Sequence, residues 1–514
     1  MNLPYQPKAR RVVPNWRYYE NTLAAGELDE WRVPKLVRDP YSIDDYKELW
    51  QNHHSIYRAG DLLSAAITNG CEKDESVKEA AHYILDQGDI TTQTMRHSAL
   101  RILGSDSKDD KSSKVEIKRL RECTAVNDIY AFIHTIRMRL HLMPYNPFLY
   151  VDLSRAYLLL GQTNKAEDAM KQALHYGADN RFVARSAARF YLHWNDKDRA
   201  YELIRAKGAV AVDPWLMAAE ISISMLRDKT SNYIKKGQSI IESGNCSPFG
   251  FTELASSIGT QELYAGANRH SNKLFRKAMI APNDNSLAQI KWVNRFDPLK
   301  FDLNVQVNND YEVRTIDAWM EGRYEEAAHE AVSWICDMPF AHKPINIGYT
   351  ICSNYTHDFS LASAIVDVGL RTDENNPFLL NNKAYCAARD NKVVDAKEAF
   401  AKLQVTPRLD DSLNWQVCVP ATEGLILYRD GRHQEGAAKY QEAINIAQQS
   451  ETEEGKFLFK KAKLNYCRER LIAGDEDPAI VMEEVSEIVP EEKESELKIL
   501  LNEIETELKN KNNE

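Results

Sequence analysis

Arg155, Arg185, Arg189 and His193 are the residues whose types could most readily hold a charged ligand. A guanidinium presents a planar fork of donors that meets a carboxylate or phosphate two bonds at a time. Three arginines on neighbouring helices would make a basic patch for such a group; they could equally be solvated, or pair with local acids. Farther along, Trp319, Tyr355, Tyr385, Arg389, Tyr428 and Arg429 supply the aromatic and arginine side chains that most often anchor protein interfaces, although aromatics at helical spacing also fill cores. Trp16 and Tyr18 add two aromatics to a proline-rich N-terminus.

Chemistry beyond binding has no carrier in the sequence. There is no glycine-rich phosphate loop, no G-x-G-x-x-G and no G-x-S-x-G elbow. His329-Glu330 begins like a zinc-protease helix, but Ser333 stands where the second histidine is required. His53 and His54 point to opposite sides of a helix, and His134 and His141 share a face with no carboxylate or cysteine nearby to complete a site. Glu325-Glu326 suits a helix start, where acids meet the positive end of the dipole. The expectation is a non-enzyme with no catalytic, cofactor or metal residues.

Composition bounds the rest. The 514 residues are 43% hydrophobic and 27% charged, ordinary for a soluble chain, and no window approaches 18 uncharged apolar residues, so no membrane insertion is expected. Eight scattered cysteines without a C-x-x-C pair, and no secretory signal, suggest free thiols in a reducing, cytoplasmic setting. Net charge is −11, and from Glu451 to Glu514 there are 18 acids against 10 basic side chains. That balance disfavours nucleic acid as a partner.

The elements that must position these residues read as helices. Five prolines (4, 7, 14, 34, 40) make residues 1–42 an extended arm. Residues 43–142 read as an N-terminal helical region: a hairpin around Gly60, helices near 74–87 and 90–103, a polar linker at 105–113 and one long helix over 114–142. From Pro147, Tyr150, Leu153 and Tyr157 fall on one helical face, Gly161 ends that helix, and Ala166, Met170 and Ala173 line a second. Small residues at the crossing let two backbones approach, with Ser154 opposite Ala166. The pattern returns at Pro377: both copies open Asn-Pro-Phe-Leu (from Asn146 and from Asn376), with Ala166 and Ala396 at the same distance from their prolines. Ala327, Ala362 and Ala396 keep that register through three hairpins.

This pattern resembles the tetratricopeptide repeat, in divergent copies over about 145–215 and 250–450, about six in all. Lys383 and Arg314 depart from it where the family prefers leucine. The resemblance implies an all-α fold, an α-solenoid or superhelix of antiparallel helical hairpins, spanning 143–450, with 451–514 as acidic capping helices. It also implies a concave groove lined by first helices, on which Arg155, Arg185, Arg189 and His193 stand, with the later aromatics and arginines on or near the same strip. Val151 and Arg155 stand where the family's chaperone-tail clamp uses lysine and asparagine, so that clamp is not implied. The function expected is a non-catalytic scaffold or adaptor that binds a protein or peptide, with an acidic segment as one suitable partner, in the groove and through Trp16 and Tyr18 of the arm. Two other readings are a peptide-responsive regulator whose curvature changes on binding, and an enzyme with an unrecognised site in residues 43–142. The acidic tail reads either as a cap or as a detachable helix for the basic groove.

Overall fold

The computed structural model describes residues 10–24, 43–69, 71, 74–87, 90–104, 113–206, 208–299, 301–305, 307–407, 411–491 and 494–511, so the polar linker lies almost wholly outside the described residues. Two compact units result, Arg17–Ser112 and Met1–Trp16 with Ser113–Glu514. Among the described residues there is no strand, and no helix is long and apolar enough to cross a membrane.

The smaller unit contains α1 (Tyr19–Ala24), α2 (Ile43–Asn52), α3 (Ile56–Asn69), α4 (Glu75–Asp86) and α5 (Gln93–Gly104). Trp50, Leu62, Leu63, Ala66 and Ile84 form its core. The hairpin expected around Gly60 is instead the single helix α3. A Cβ at Gly60 would collide with Met95, so glycine here admits α5 rather than making a turn. The arm is not extended throughout, since α1 begins at Tyr19.

The larger unit opens with α6 (Ser113–Cys123) and α7 (Val126–Leu142), which replace the single long helix expected over 114–142. Hairpins then follow: α8 (Pro147–Leu159) with α9 (Thr163–Gly177), α10 (Arg181–His193) with α11 (Lys197–Arg205), α12 (Pro214–Leu226) with α13 (Ile234–Glu242), and α14 (Thr252–Tyr264) with α15 (Asn268–Ala278). A lone α16 (Asp284–Phe296) precedes α17 (Tyr311–Met320) with α18 (Tyr324–Asp337), α19 (His342–Asn354) with α20 (Phe359–Thr372), α21 (Pro377–Arg389) with α22 (Val393–Val405), and α23 (Leu413–Arg429) with α24 (His433–Gln448). The chain ends in α25 (Glu453–Ala473), α26 (Pro478–Ser486) and α27 (Ser495–Lys511).

One local device makes these hairpins. Each first helix ends on a residue in the left-handed region: Gly161, Gly266, Gly322 and Gly431, but also Asn195, Asp228, His357 and Asn391. In seven of the eight, the next N–H bonds back to the carbonyl five residues earlier, as in Gln162 to Tyr157 at 2.9 Å and Lys392 to Ala387 at 2.8 Å. That is the Schellman closure, which satisfies the carbonyls a helix end leaves open. Half of the turns use a residue other than glycine, because asparagine and aspartate tolerate this conformation better than other side chains. The hairpin α12–α13 escaped the sequence reading because it lacks small residues at its crossing as well, where Ile221 and Tyr233 stand; among the described residues of the larger unit eight such hairpins stand where about six were expected.

The second device is a small pair at the crossing. Ser154 and Ala166, Ala188 and Ala200, Gly259 and Ser271, Thr315 and Ala327, Ala384 and Ala396, and Gly424 and Gly436 all lie 12 residues apart across their turns. The backbones come so close that a hydroxyl of one helix bonds a carbonyl of the other: Ser154 Oγ donates to Ala166 O at 2.7 Å, and Ser271 Oγ to Gly259 O at 2.7 Å. Asn146 and Asn376 cap α8 and α21, each followed by proline at the first helical position. Gly161 carries a further demand, because a Cβ there would stand 2.6 Å from Arg371 O, whereas one at Gly431 would meet nothing within 4 Å. Gly431→Ala is therefore expected to lose only the left-handed penalty, about 1–2 kcal/mol. Gly161→Ala should lose distinctly more, and paired urea melts check the order.

Helix α6 is held to α18 in register. Glu116 Oε1 bonds His329 Nδ1 at 2.7 Å, Arg119 Nη2 donates to Ser333 Oγ at 2.8 Å, and Cys336 Sγ approaches Arg119 O at 3.9 Å. One turn on, the thiols of Cys123 and Cys336 face each other; this contact holds Cys123 below the usual thiol range and pushes Cys336 above it. Hydrogen peroxide, which takes two electrons and two protons from the thiols and is reduced to water, is expected to join them. A tryptic mass spectrum showing no Cys123–Cys336 link after oxidation would contradict this register.

Candidate partner-binding groove

The strip of first helices is where the arginines were expected, and in the structure an extended segment already lies along it. Residues 10–16 cross from α16 and α17 towards α10 and α8. Arg10 donates to Glu312 at 2.8 and 3.1 Å, to Gln289 Oε1 at 2.9 Å and to Asn285 Oδ1 at 3.2 Å. The main chain is read as well: Asn285 Nδ2 donates to Val13 O at 2.8 Å and Gln289 Nε2 to Arg10 O at 3.3 Å. Arg11 lies over the Tyr264 ring at 5.1 Å. Val12 is 1% exposed, and Trp16, at 0%, sits between Phe190 (centroids 5.9 Å) and Phe340 (5.2 Å). Side chains alternate between anchors while amides bind the backbone, as in the recognition of extended peptides. Burial would raise the Glu312 carboxyl, but Arg10 and Lys343 carry it well below the usual range.

The expected site residues divide sharply around this segment. Arg155 is buried, with Nε directed to Trp16 O at 3.4 Å, Nη2 to Asp337 O at 3.0 Å, and its guanidinium 5.7 Å from the Phe340 ring. Arg185 is paired with Glu253 at 2.8 and 3.3 Å and lies over Trp215. Glu253 also accepts from Asn285 at 3.0 Å, so Arg185 reaches the arm through a chain of bonds. Arg189 lies over Phe340 at 5.8 Å, and His193 is buried 4.6 Å from the His342 ring. The structure thus brings Arg155, Arg189, His193 and Trp16 together around Phe340. Tyr18 belongs to the other unit, where it is half-buried and its carbonyl accepts from Thr22.

The later strip meets the chain's own C-terminal helices. Trp319 is buried edge-to-face with Tyr355, centroids 5.5 Å apart. Tyr385 accepts from Arg389 at 2.9 Å, and Arg389 covers Phe359 at 4.1 Å while pairing with Glu503 of α27. Glu503 also lies 3.4 Å from His357 and 3.7 Å from Arg468, which together with Arg389 hold it below the usual carboxylate range against the effect of burial. Arg429 pairs with Glu469 of α25 at 2.9 Å, and Tyr428 stacks on His433 at 5.3 Å. The acidic tail is packed through its apolar face: Val481, Val485, Leu497, Leu500 and Ile504 share a core with Leu464 and Leu471 of α25.

No protein-family model matches the chain, and no curated protein matches it. Solved structures do. The chain is similar to the yeast Tom70 (14% identity, 77% of this chain and 96% of that one, TM-score 0.25) and to the APC/C hetero-tetramer Cut9–Hcn1 (11% identity, 90% and 92%, TM-score 0.34). At such scores the repeat architecture rests on this chain's own hairpins, which are divergent tetratricopeptide-like repeats in an α-solenoid. Among the described residues no group of three or more histidines, cysteines and acids could hold a metal ion.

The residues that hold the arm, Asn285, Gln289 and Glu312, were not singled out from the sequence, nor were Glu253 behind Asn285 or Phe340. A signal was present: Asn285 and Gln289 are four apart on the lone helix α16, as Arg185 and Arg189 are on the first helix α10. Polar residues at that spacing on two such helices mark a strip that cannot be solely apolar core.

Proposed function

We propose that this protein is a non-catalytic scaffold whose first-helix strip holds extended segments of protein partners, with residues 10–16 as the resident segment of the free chain. The observation that carries the reading is that the strip binds an extended main chain through Asn285 and Gln289 and its side chains through Glu312 and Phe340. A partner segment using the same anchors competes with the arm, so its apparent affinity is reduced by the fraction of molecules in which the arm is seated.

Affinity capture of interacting proteins by the full chain tests this with opposite signs. Arg10→Ala weakens the resident segment and is expected to raise partner recovery. Asn285→Ala removes a main-chain donor from the strip and is expected to lower it. Recovery unchanged by both substitutions would refute a role for the strip. The reverse pattern, lowered by Arg10→Ala and raised by Asn285→Ala, would mean that the released arm itself carries the partner.

A further inference from the structure

Beside the seated arm, one cluster of basic side chains keeps hydrogen-bonding capacity that the chain does not use. Arg189 is half-buried on α10, and among the described residues its guanidinium has no hydrogen bond and no ion pair; it faces the Phe340 ring 5.8 Å away, and Glu312 is the carboxylate whose charge reaches it. One turn on along α10, His193 is buried, and its Nε2 meets no partner. Facing it from the start of α19, His342 has its ring centroid 4.6 Å from that of His193, and its Nε2 is likewise buried and without a hydrogen bond. Buried polar atoms are nearly always satisfied, so two imidazole nitrogens left unpartnered side by side call for an explanation. Beside the unpaired Arg189 guanidinium, these two nitrogens can donate to one anionic group once protonated.

The surrounding charges favour the same conclusion. Arg155 reaches the same ring from α8, but its donors are taken by Asp337 O and Trp16 O. Lys343, next to His342, is engaged by Glu312, which Arg10 also holds. Two carboxylates act on the cluster: Asp373, 3.7 Å from His342 Nε2 and beyond hydrogen-bond reach, and Glu312, whose charge reaches Arg189. Glu312 is already shared by Arg10 and Lys343, and the two histidines add charge only when protonated. Some solvent access remains: Arg189 is only half-buried, and the His342 side chain is 34% exposed.

We infer that Arg189, His193 and His342 form a binding site for an oxyanion, with the guanidinium as the fixed charge and the two imidazoles as donors recruited around it. The ligand class is a single anionic group with several acceptor oxygens, either tetrahedral like sulfate or phosphate, or a carboxylate. This goes beyond the scaffold reading and stands without it, since a small ion needs neither a partner nor a displaced arm.

Protonation supplies the coupling. Burial, His342 and Arg189 hold His193 well below its ordinary value, and burial holds His342 low despite Asp373. Both are therefore neutral in the empty site near neutral pH. A bound anion favours their charged forms, so binding takes up protons and tightens as pH falls. The stability of the empty protein moves the other way. Because the folded values lie below the unfolded one of about 6.5, acidification below that point favours the unfolded chain.

Calorimetric titration of the full-length protein with sodium sulfate and, separately, sodium acetate tests the site against sodium chloride at matched ionic strength, at about pH 8 and about pH 6. Saturable binding of either anion, tightening by up to about tenfold per pH unit for each proton taken up, is expected. Sulfate alone would point to a tetrahedral group and acetate alone to a carboxylate. Arg189→Met should abolish binding while leaving the melting temperature equal or higher, since no hydrogen bond is lost. His342→Asn should retain binding and flatten its pH dependence. No saturable binding of either anion at either pH would overturn the site, as would equal affinity in Arg189→Met and the unaltered protein. Were Arg189→Met to misfold, the unaltered protein and His342→Asn would decide between these results.

Discussion

Glu469→Ala is expected to destabilise the larger unit by about 3–5 kcal/mol, the usual consequence of removing one partner from a buried ion pair. Arg468 is 0% exposed and Glu469 1%, and Arg468 Nε donates to Glu469 Oε1 at 2.9 Å. The same carboxylate receives Arg429 from the end of α23, at 2.9 and 3.2 Å. Its removal leaves two guanidinium groups in the interior, with Glu503 the next carboxylate to Arg468 at 3.7 Å. A neutral glutamine keeps the shape and one acceptor, so Glu469→Gln should lose less. Arg468→Met combined with Glu469→Leu should also lose less than Glu469→Ala alone, because the desolvation penalty disappears with both charges. Urea midpoints give the order. A single alanine substitution no worse than the double would refute the claim that an uncompensated buried charge dominates.

Trp16→Ala is expected to cost about 3–5 kcal/mol, the range for a fully buried tryptophan truncated in a packed site. Its position makes the consequence specific. Phe190 and Phe340 lose their common neighbour, and the far anchor of the extended segment is gone. Release of residues 10–16 should then expose Arg10 and Arg11 to trypsin, so cleavage there should accelerate in proportion to the population of the opened state. The anchors can be separated. Arg10→Ala leaves Glu312 with Lys343 still beside it, and should free the near end of the segment while Trp16 stays seated. Melting temperature and proteolysis rate should therefore move together in Trp16→Ala, whereas Arg10→Ala should change proteolysis more than melting. Unaltered cleavage in Trp16→Ala would refute the anchoring role of this ring.

Much of the hairpin architecture was legible because it is local. A helix closes on Gly161, Ser154 and Ala166 meet across the turn, and Asn146 caps α8 as Asn376 caps α21, each device lying within a few tens of residues. The hairpin α12–α13 was illegible to the same reasoning because Asp228 takes the glycine's conformation and Ile221 and Tyr233 replace the small pair. The break between α6 and α7 was missed because the apolar spacing continues through it. At the break Thr124 Oγ1 donates to Leu120 O, and α6 is held against α18 by contacts more than 200 residues apart that no local pattern shows.

Residue types along the chain were enough to specify repeated helical hairpins, the face each helix turns to its mate, and the strip on which arginines and aromatics accumulate. Periodicity does this because each hairpin buries its own small-residue seam. What occupies the strip was decided only by tertiary structure: Arg10 meets Glu312 across 302 residues, and Arg389 meets Glu503 across 114. Nothing in the local sequence distinguishes an arginine facing solvent from one held by a distant carboxylate, since both satisfy the same helical pattern. Desolvation makes the difference, because a charge enters the interior only where a particular counter-charge arrives with it. Arg185, Arg389 and Arg429 found theirs within the chain, and Arg189, only half-buried, forms no ion pair among the described residues.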